Sequence, residues 1–66
     1  MEIYLNGEPR QVADGINAAQ LIEELALAGR RVAVEVNREI VPRSAYVQYR
    51  LRAGDRIEVV RAIGGG

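Results

Sequence analysis

The side chains that most often do chemistry in enzymes are nearly missing from this chain. Its 66 residues include no histidine, cysteine, lysine or threonine, and Ser44 is the one aliphatic hydroxyl. General acid–base catalysis mostly uses histidine, and covalent catalysis pairs a serine, cysteine or lysine with a base. Paired carboxylates remain formally possible, but so short a chain leaves little room for a pocket beside its core. We therefore expect a protein that is not an enzyme.

The remaining candidate for chemistry is the terminal carboxylate, which follows three consecutive glycines, Gly64, Gly65 and Gly66. Two simple interpretations are a solvated flexible terminus and a cloning linker. A third is that the Gly66 carboxylate is activated by another enzyme as a mixed anhydride with AMP. Glycine has no Cβ, so such a tail can pass through a narrow channel. Extended, Ile63 to Gly66 would span at most about 14 Å, enough to reach into an enzyme cleft.

A β-hairpin is predicted at the start of the chain. Ile3 and Leu5 alternate with outward residues, which is the period of a half-buried strand. Asn6-Gly7 favours a type I′ turn, because both central residues of that turn need a positive φ. Pro9 cannot donate to a ladder, so the second strand is predicted to lie at a sheet edge.

One helix is predicted from Ala18 to Ala28. Asn17 and Gln20 have the spacing of a capping box at its start. Gly29 suits the left-handed position that ends a helix. The residues with the spacing of one buried face are Ala18, Leu21, Ile22 and Leu25.

The second half of the chain predicts a strand, a short edge strand before Pro42, and a final strand. Alternation in the first and last of these indicates one buried face. The residues predicted to face the helix are Val32, Val34, Val36, Ile57 and Val59. The first strand of the whole chain and its last strand should be central and parallel neighbours, because a helical crossover permits a right-handed return to the same sheet.

This order of elements predicts an α+β fold, a ubiquitin-like β-grasp in which a mixed sheet packs on one helix. One domain, residues 1–62, would carry a flexible Gly-Gly tail, residues 63–66. The chain has no apolar run of the roughly 20 residues that span a bilayer, and no signal-peptide pattern. We expect a cytoplasmic protein, and its balanced charge gives no case for nucleic-acid or membrane binding.

Several segments together resemble a known family. These are "LNGEP" at the first turn, "VAVEVNREIVPRS" in the middle and "GDRIEVVRAIGGG" at the end. The chain is similar over its whole length to the ThiS family, the sulfur carrier proteins of thiamine biosynthesis. A third glycine, Gly64, precedes the terminal pair and is the departure from the family pattern.

The resemblance implies a function for the tail. In that family an E1-like adenylyltransferase uses ATP and Mg to adenylate the terminal glycine, here Gly66. Sulfur from a persulfide donor, such as a cysteine desulfurase, then replaces AMP and gives a thiocarboxylate. Thiazole synthase receives this sulfur. Ile63, Gly64 and Gly65 would thread the partner's active site, and the carrier itself would bind no cofactor and no metal.

The sheet face opposite the helix is the expected partner interface. If the inward residues are as predicted, Tyr4, Ala33, Val60 and Ala62 point outward, with Tyr4 and Val60 on adjacent strands. Exposed apolar groups on a charged face mark partner sites, although scattered ones are also normal. Other functions stay open: a molybdopterin-synthase small subunit, a ubiquitin-like protein modifier, or a plain interaction module.

Overall fold

A computed structural model describes residues 1–61 of the chain. The elements in these residues are β1 (Glu2–Leu5), β2 (Glu8–Gln11), α1 (Ala18–Glu24), β3 (Val32–Val36), β4 (Glu39–Val41), a 3₁₀ turn (Arg43–Ala45) and β5 (Arg56–Arg61). The strands form a five-stranded mixed sheet with the spatial order β2-β1-β5-β3-β4, and α1 lies across one of its faces. Strands β1 and β5 are parallel, and the other neighbours are antiparallel.

The predicted hairpin is confirmed. Asn6 and Gly7 connect β1 to β2 with φ values of 50° and 85°, as a type I′ turn requires. Pro9 lies on β2, which is an edge strand. The Asn6 side chain also accepts a hydrogen bond from the Val59 amide (2.9 Å) and donates to the Val59 carbonyl (3.3 Å). The turn is thereby fastened to the middle of β5.

The start of the helix is as predicted. The Asn17 side chain accepts from the Gln20 amide at 2.8 Å, and the Gln20 side chain accepts from the Asn17 amide at 2.9 Å. This reciprocal pair satisfies two amides that would otherwise lack partners at the helix N-terminus.

The end of the helix is not as predicted. The helix ends at Glu24, and Ala26, not Gly29, takes the left-handed conformation, with φ of 58°. The Leu27 amide donates to the Ile22 carbonyl and the Ala26 amide to the Glu23 carbonyl, which is a Schellman motif. Gly29 instead lies in the next turn, with φ of 79°. Leu25, predicted to be buried, is consequently only half-buried.

The core lies between the helix and one sheet face. The inward pattern predicted for β3 and β5 is confirmed, with Val32 half-buried at the start of its strand. No helix in residues 1–61 is long and apolar enough to cross a membrane. The buried residues are Ile3, Val12, Ile16, Ala18, Leu21, Ile22, Val34, Val36, Val41, Tyr46, Leu51, Ile57 and Val59.

Candidate functional site

Gly66, the residue predicted to carry the chemistry, lies outside the described part of the chain. The predicted tail residues and one predicted interface residue lie outside it as well: Ile63, Gly64, Gly65 and Ala62. The structure does show what precedes them. Arg61, the last described residue, belongs to β5, the central strand, and lies opposite Val32 of β3. The C-terminal segment therefore follows directly from a strand that is fixed in the sheet.

The sheet surface opposite the helix is here called the outer face. In β3 and β5 the buried residues alternate with half-buried or exposed ones, because successive side chains of a strand point to opposite faces of the sheet. The outer face carries both apolar and charged side chains. Its members used below are Tyr4, Ala33, Glu35, Ile40, Arg56, Glu58 and Val60.

The structure brings together two of the predicted interface residues and separates the third from them. Ala33 and Val60 lie directly opposite each other on β3 and β5, and Val60 is 55% exposed. Tyr4 lies on the adjacent strand, as predicted, but opposite Arg56, whose guanidinium carbon is 5.4 Å from the ring centroid. Arg56 and Val60 are four residues apart, which is about 13 Å along the strand. Tyr4 therefore lies away from Ala33 and Val60 and makes a cation–π contact with Arg56 instead.

Ile40 is an outer-face residue that the sequence analysis did not select. It is 74% exposed, lies opposite Glu35, and is diagonal to Ala33 across the β3–β4 pair. The signal was present, because the buried Val41 next to it places Ile40 outward by strand alternation. Ala33, Ile40 and Val60 are here called the apolar patch.

Two carboxylates lie beside the apolar patch. Glu35 of β3 is directly opposite Glu58 of β5, an arrangement that destabilises a sheet because the charges repel. Within residues 1–61 neither glutamate takes part in an ion pair. The free protein therefore leaves an unfavourable interaction in place, and a cationic group from a partner would relieve it.

The rest of the described chain offers little for catalysis. Within residues 1–61 no charged or polar side chain is buried, and no group of three or more acidic, histidine or cysteine residues could hold a metal. A groove of about 160 Å³ is lined in part by Tyr4, Arg38, Arg56 and Glu58. All four side chains there are half-buried or exposed. Reactive side chains are usually tuned by burial, so this groove does not resemble an active site.

The chain is similar to known sulfur carrier proteins over essentially its whole length. The model of the ThiS family matches residues 3–66. The sulfur carrier protein ThiS of Escherichia coli is 33% identical over 66 residues, covering all of both chains. The crystal structure of the thiamine biosynthesis protein ThiS from Geobacter metallireducens superimposes with a TM-score of 0.87 at 33% identity, again covering all of both chains.

A second kind of relative is much longer. The thiazole synthase of Paramagnetospirillum magneticum is 44% identical over 66 residues, which is all of this chain but 20% of that protein. A thiazole synthase of Magnetococcus marinus matches to the same extent. The chain thus spans about a fifth of the length of these relatives. Since the family model and the carrier relatives both cover essentially the whole sequence, this chain belongs to the ThiS family.

Proposed function

We propose that this protein is a sulfur carrier in thiamine biosynthesis, whose C-terminal carboxylate becomes a thiocarboxylate and supplies the sulfur of the thiazole ring. One observation carries the proposal: the family match runs over residues 3–66 and so includes the terminal glycines. The carrier is a substrate of other enzymes and not an enzyme itself. The near absence of catalytic side chains is consistent with this role.

The chemistry is assigned to Gly66. An E1-like adenylyltransferase supplies ATP and Mg; the Gly66 carboxylate oxygen attacks the α-phosphorus, and pyrophosphate leaves. The terminal sulfur of a persulfide, on a donor such as a cysteine desulfurase, then attacks the carbonyl carbon and AMP leaves, which gives an acyl disulfide. A thiol cleaves the S–S bond of this acyl disulfide, so that the thiocarboxylate is released and the donor cysteine is left in a disulfide with that thiol. Ile63, Gly64 and Gly65 form the part of the tail that crosses the partner's active-site channel. Glycine suits this role because it lacks the Cβ that would contact the channel walls.

The folded residues serve as the part that partners recognise. The apolar patch provides a contact area, and the adjacent Glu35 and Glu58 favour a partner that presents a basic side chain. Ala62, predicted to lie on the same face, extends this interface towards the tail. Tyr4 belongs to its margin, because Arg56 already covers its ring.

Thiazole synthase is the proposed recipient of the sulfur. Two thiazole synthases contain a segment 44% identical to this chain. If such a segment acts as a carrier, its covalent link to the synthase would raise the local concentration of the carrier at the synthase active site. The separate carrier would bind the same kind of synthase surface through its outer face.

The tail can be tested by substitution. Gly65→Val should leave the fold unchanged but should lower ATP–pyrophosphate exchange by the adenylyltransferase by about a hundredfold, since small displacements of reacting groups are this costly. Deletion of Gly66 should abolish both exchange and thiazole formation. The matched control is Ala53→Val, which introduces the same side chain at an exposed turn residue of the folded body. The proposal is wrong if the protein without Gly66 still supports thiazole formation.

A further inference from the structure

We infer that a groove on the helix side of the fold, with Arg30 and Arg43 at its rim, is a second docking site, and that it receives an apolar side chain next to a carboxylate of the adenylating enzyme. This inference rests on the proposed function, since it assumes that such an enzyme takes up the tail. It concerns the side of the molecule opposite the outer face.

The groove has a volume of about 230 Å³, enough for an apolar side chain. It lies between the end of α1, the start of β3 and the 3₁₀ turn, and its lining is mostly apolar. Apolar side chains that anchor protein interfaces occupy pockets of this kind. The lining residues that matter here are Ile22, Leu27, Ala28, Val32 and Tyr46.

The two arginines at the rim, Arg30 and Arg43, are joined by a hydrogen bond. One terminal guanidinium nitrogen of Arg43 donates to the main-chain carbonyl of Arg30 at 3.2 Å. A guanidinium has five N–H donors, so this contact leaves most of them available. Both residues are exposed, and within residues 1–61 neither forms an ion pair. Glu23 also lines the groove, but with two arginines against one glutamate the charged part of the lining is net positive and favours a partner carboxylate.

The groove is next to the exit of the tail. Val32, one of its lining residues, pairs with Arg61, after which the chain continues to residues 62–66. A protein that encloses the tail must therefore contact this end of the fold. The formal net charge of the chain is zero, yet Arg30, Arg43 and Arg61 concentrate positive charge here. Charge complementarity selects a partner surface with carboxylates.

The adenylating enzyme is the partner that this charge fits best. It must bring the anionic tail carboxylate to an anionic nucleotide, and like charges oppose that approach. Arginines on the body of the carrier reduce the net charge of the docked complex. Since these arginines belong to the folded body and not to the tail, their contacts are assigned to enzyme carboxylates around the cleft.

Two variants test the groove, each with a matched control. Ala28→Trp places a bulky side chain at the groove, and Ala53→Trp places the same side chain in an exposed turn. Arg43→Glu reverses the charge at the rim, and Arg52→Glu reverses an exposed charge elsewhere. ATP–pyrophosphate exchange with the adenylating enzyme should show KM raised about tenfold for Ala28→Trp and Arg43→Glu, with kcat nearly unchanged and both controls normal. Arg43→Gln should show a smaller rise, and thermal melting identifies any variant that fails to fold.

The outcomes separate this inference from the proposed function. No exchange with the unaltered carrier contradicts the proposed function itself. Normal exchange with the unaltered carrier, together with normal KM for both groove variants, overturns the inference alone. It is also overturned if the groove variants impair sulfur delivery from preformed thiocarboxylate to thiazole synthase but not exchange. A lower KM for Ala28→Trp would mean that the chain's own tail occupies the groove, which again contradicts the inference.

Discussion

The two faces of the sheet differ in how well their side chains suit the isolated protein. On the inner face Val34 and Val36 pack against the helix and are 1% exposed. On the outer face two glutamates oppose each other, and Ile40 is 74% exposed. Folding alone accounts for the inner face. The outer face contains arrangements that folding does not favour, and the proposed partner interface would account for them.

The largest expected effect comes from removing a buried side chain that packs on the inner face of the sheet. Leu21→Ala should lower the free energy of unfolding by about 2–5 kcal/mol, because this side chain is fully buried. Leu25→Ala, one turn further along, should cost clearly less, since Leu25 is half-buried beside the helix end. Chemical denaturation of both variants measures the difference. Equal losses would mean that the helix packs differently from the structure described.

A charged substitution on the outer face should weaken partner binding without affecting the fold. Val60→Arg should weaken binding of thiazole synthase by about tenfold or more, because it places a charge in the apolar patch. Its melting temperature should stay near that of the unaltered protein. The control is Val47→Arg, an exposed valine (71%) outside the sheet. Titration calorimetry should show weaker binding for the first variant only, and equal binding by both would remove the apolar patch from the interface.

The smallest expected effect is that of a single substitution on the outer face, which should increase stability while it weakens binding. Glu58→Gln removes the repulsion with Glu35 and should stabilise the free protein by about 0.2–1 kcal/mol. The same change should weaken partner binding a few-fold, and more so at low salt, where charge interactions are less screened. Glu39→Gln, on the edge strand opposite Val36, should change neither. A Glu58→Gln variant that loses stability would contradict the assigned repulsion.

The elements could be predicted because local signals agreed with one another. Strand alternation, the Asn6-Gly7 turn and the Asn17–Gln20 cap each depend on neighbouring residues alone. The helix end could not be predicted in this way. Gly29 was the stronger local signal, whereas Ala26 adopts a left-handed conformation that is costly for alanine and must be held by the surrounding contacts.

Part of the outer face was predicted, namely Tyr4, Ala33 and Val60, whereas Ile40 and the arrangement of the face were not. Alternation gives the side of the sheet on which Tyr4, Ala33 and Val60 lie. It does not give the register between strands, which backbone hydrogen bonds decide and which places Tyr4 opposite Arg56. The Glu35–Glu58 pair was missed for the same reason, because it exists only in the β3–β5 register.

Sulfur transfer to the terminal carboxylate of this chain can be followed by mass spectrometry. The protein is incubated with ATP, Mg, cysteine, a cysteine desulfurase and the adenylyltransferase, and the mass of its C-terminal fragment is measured. We expect that one oxygen of Gly66 is replaced by sulfur, and only when ATP is present. The sulfur carrier ThiS of Escherichia coli is the positive control. If that carrier gains sulfur while this chain keeps its carboxylate, or gains sulfur at another position, the account is wrong.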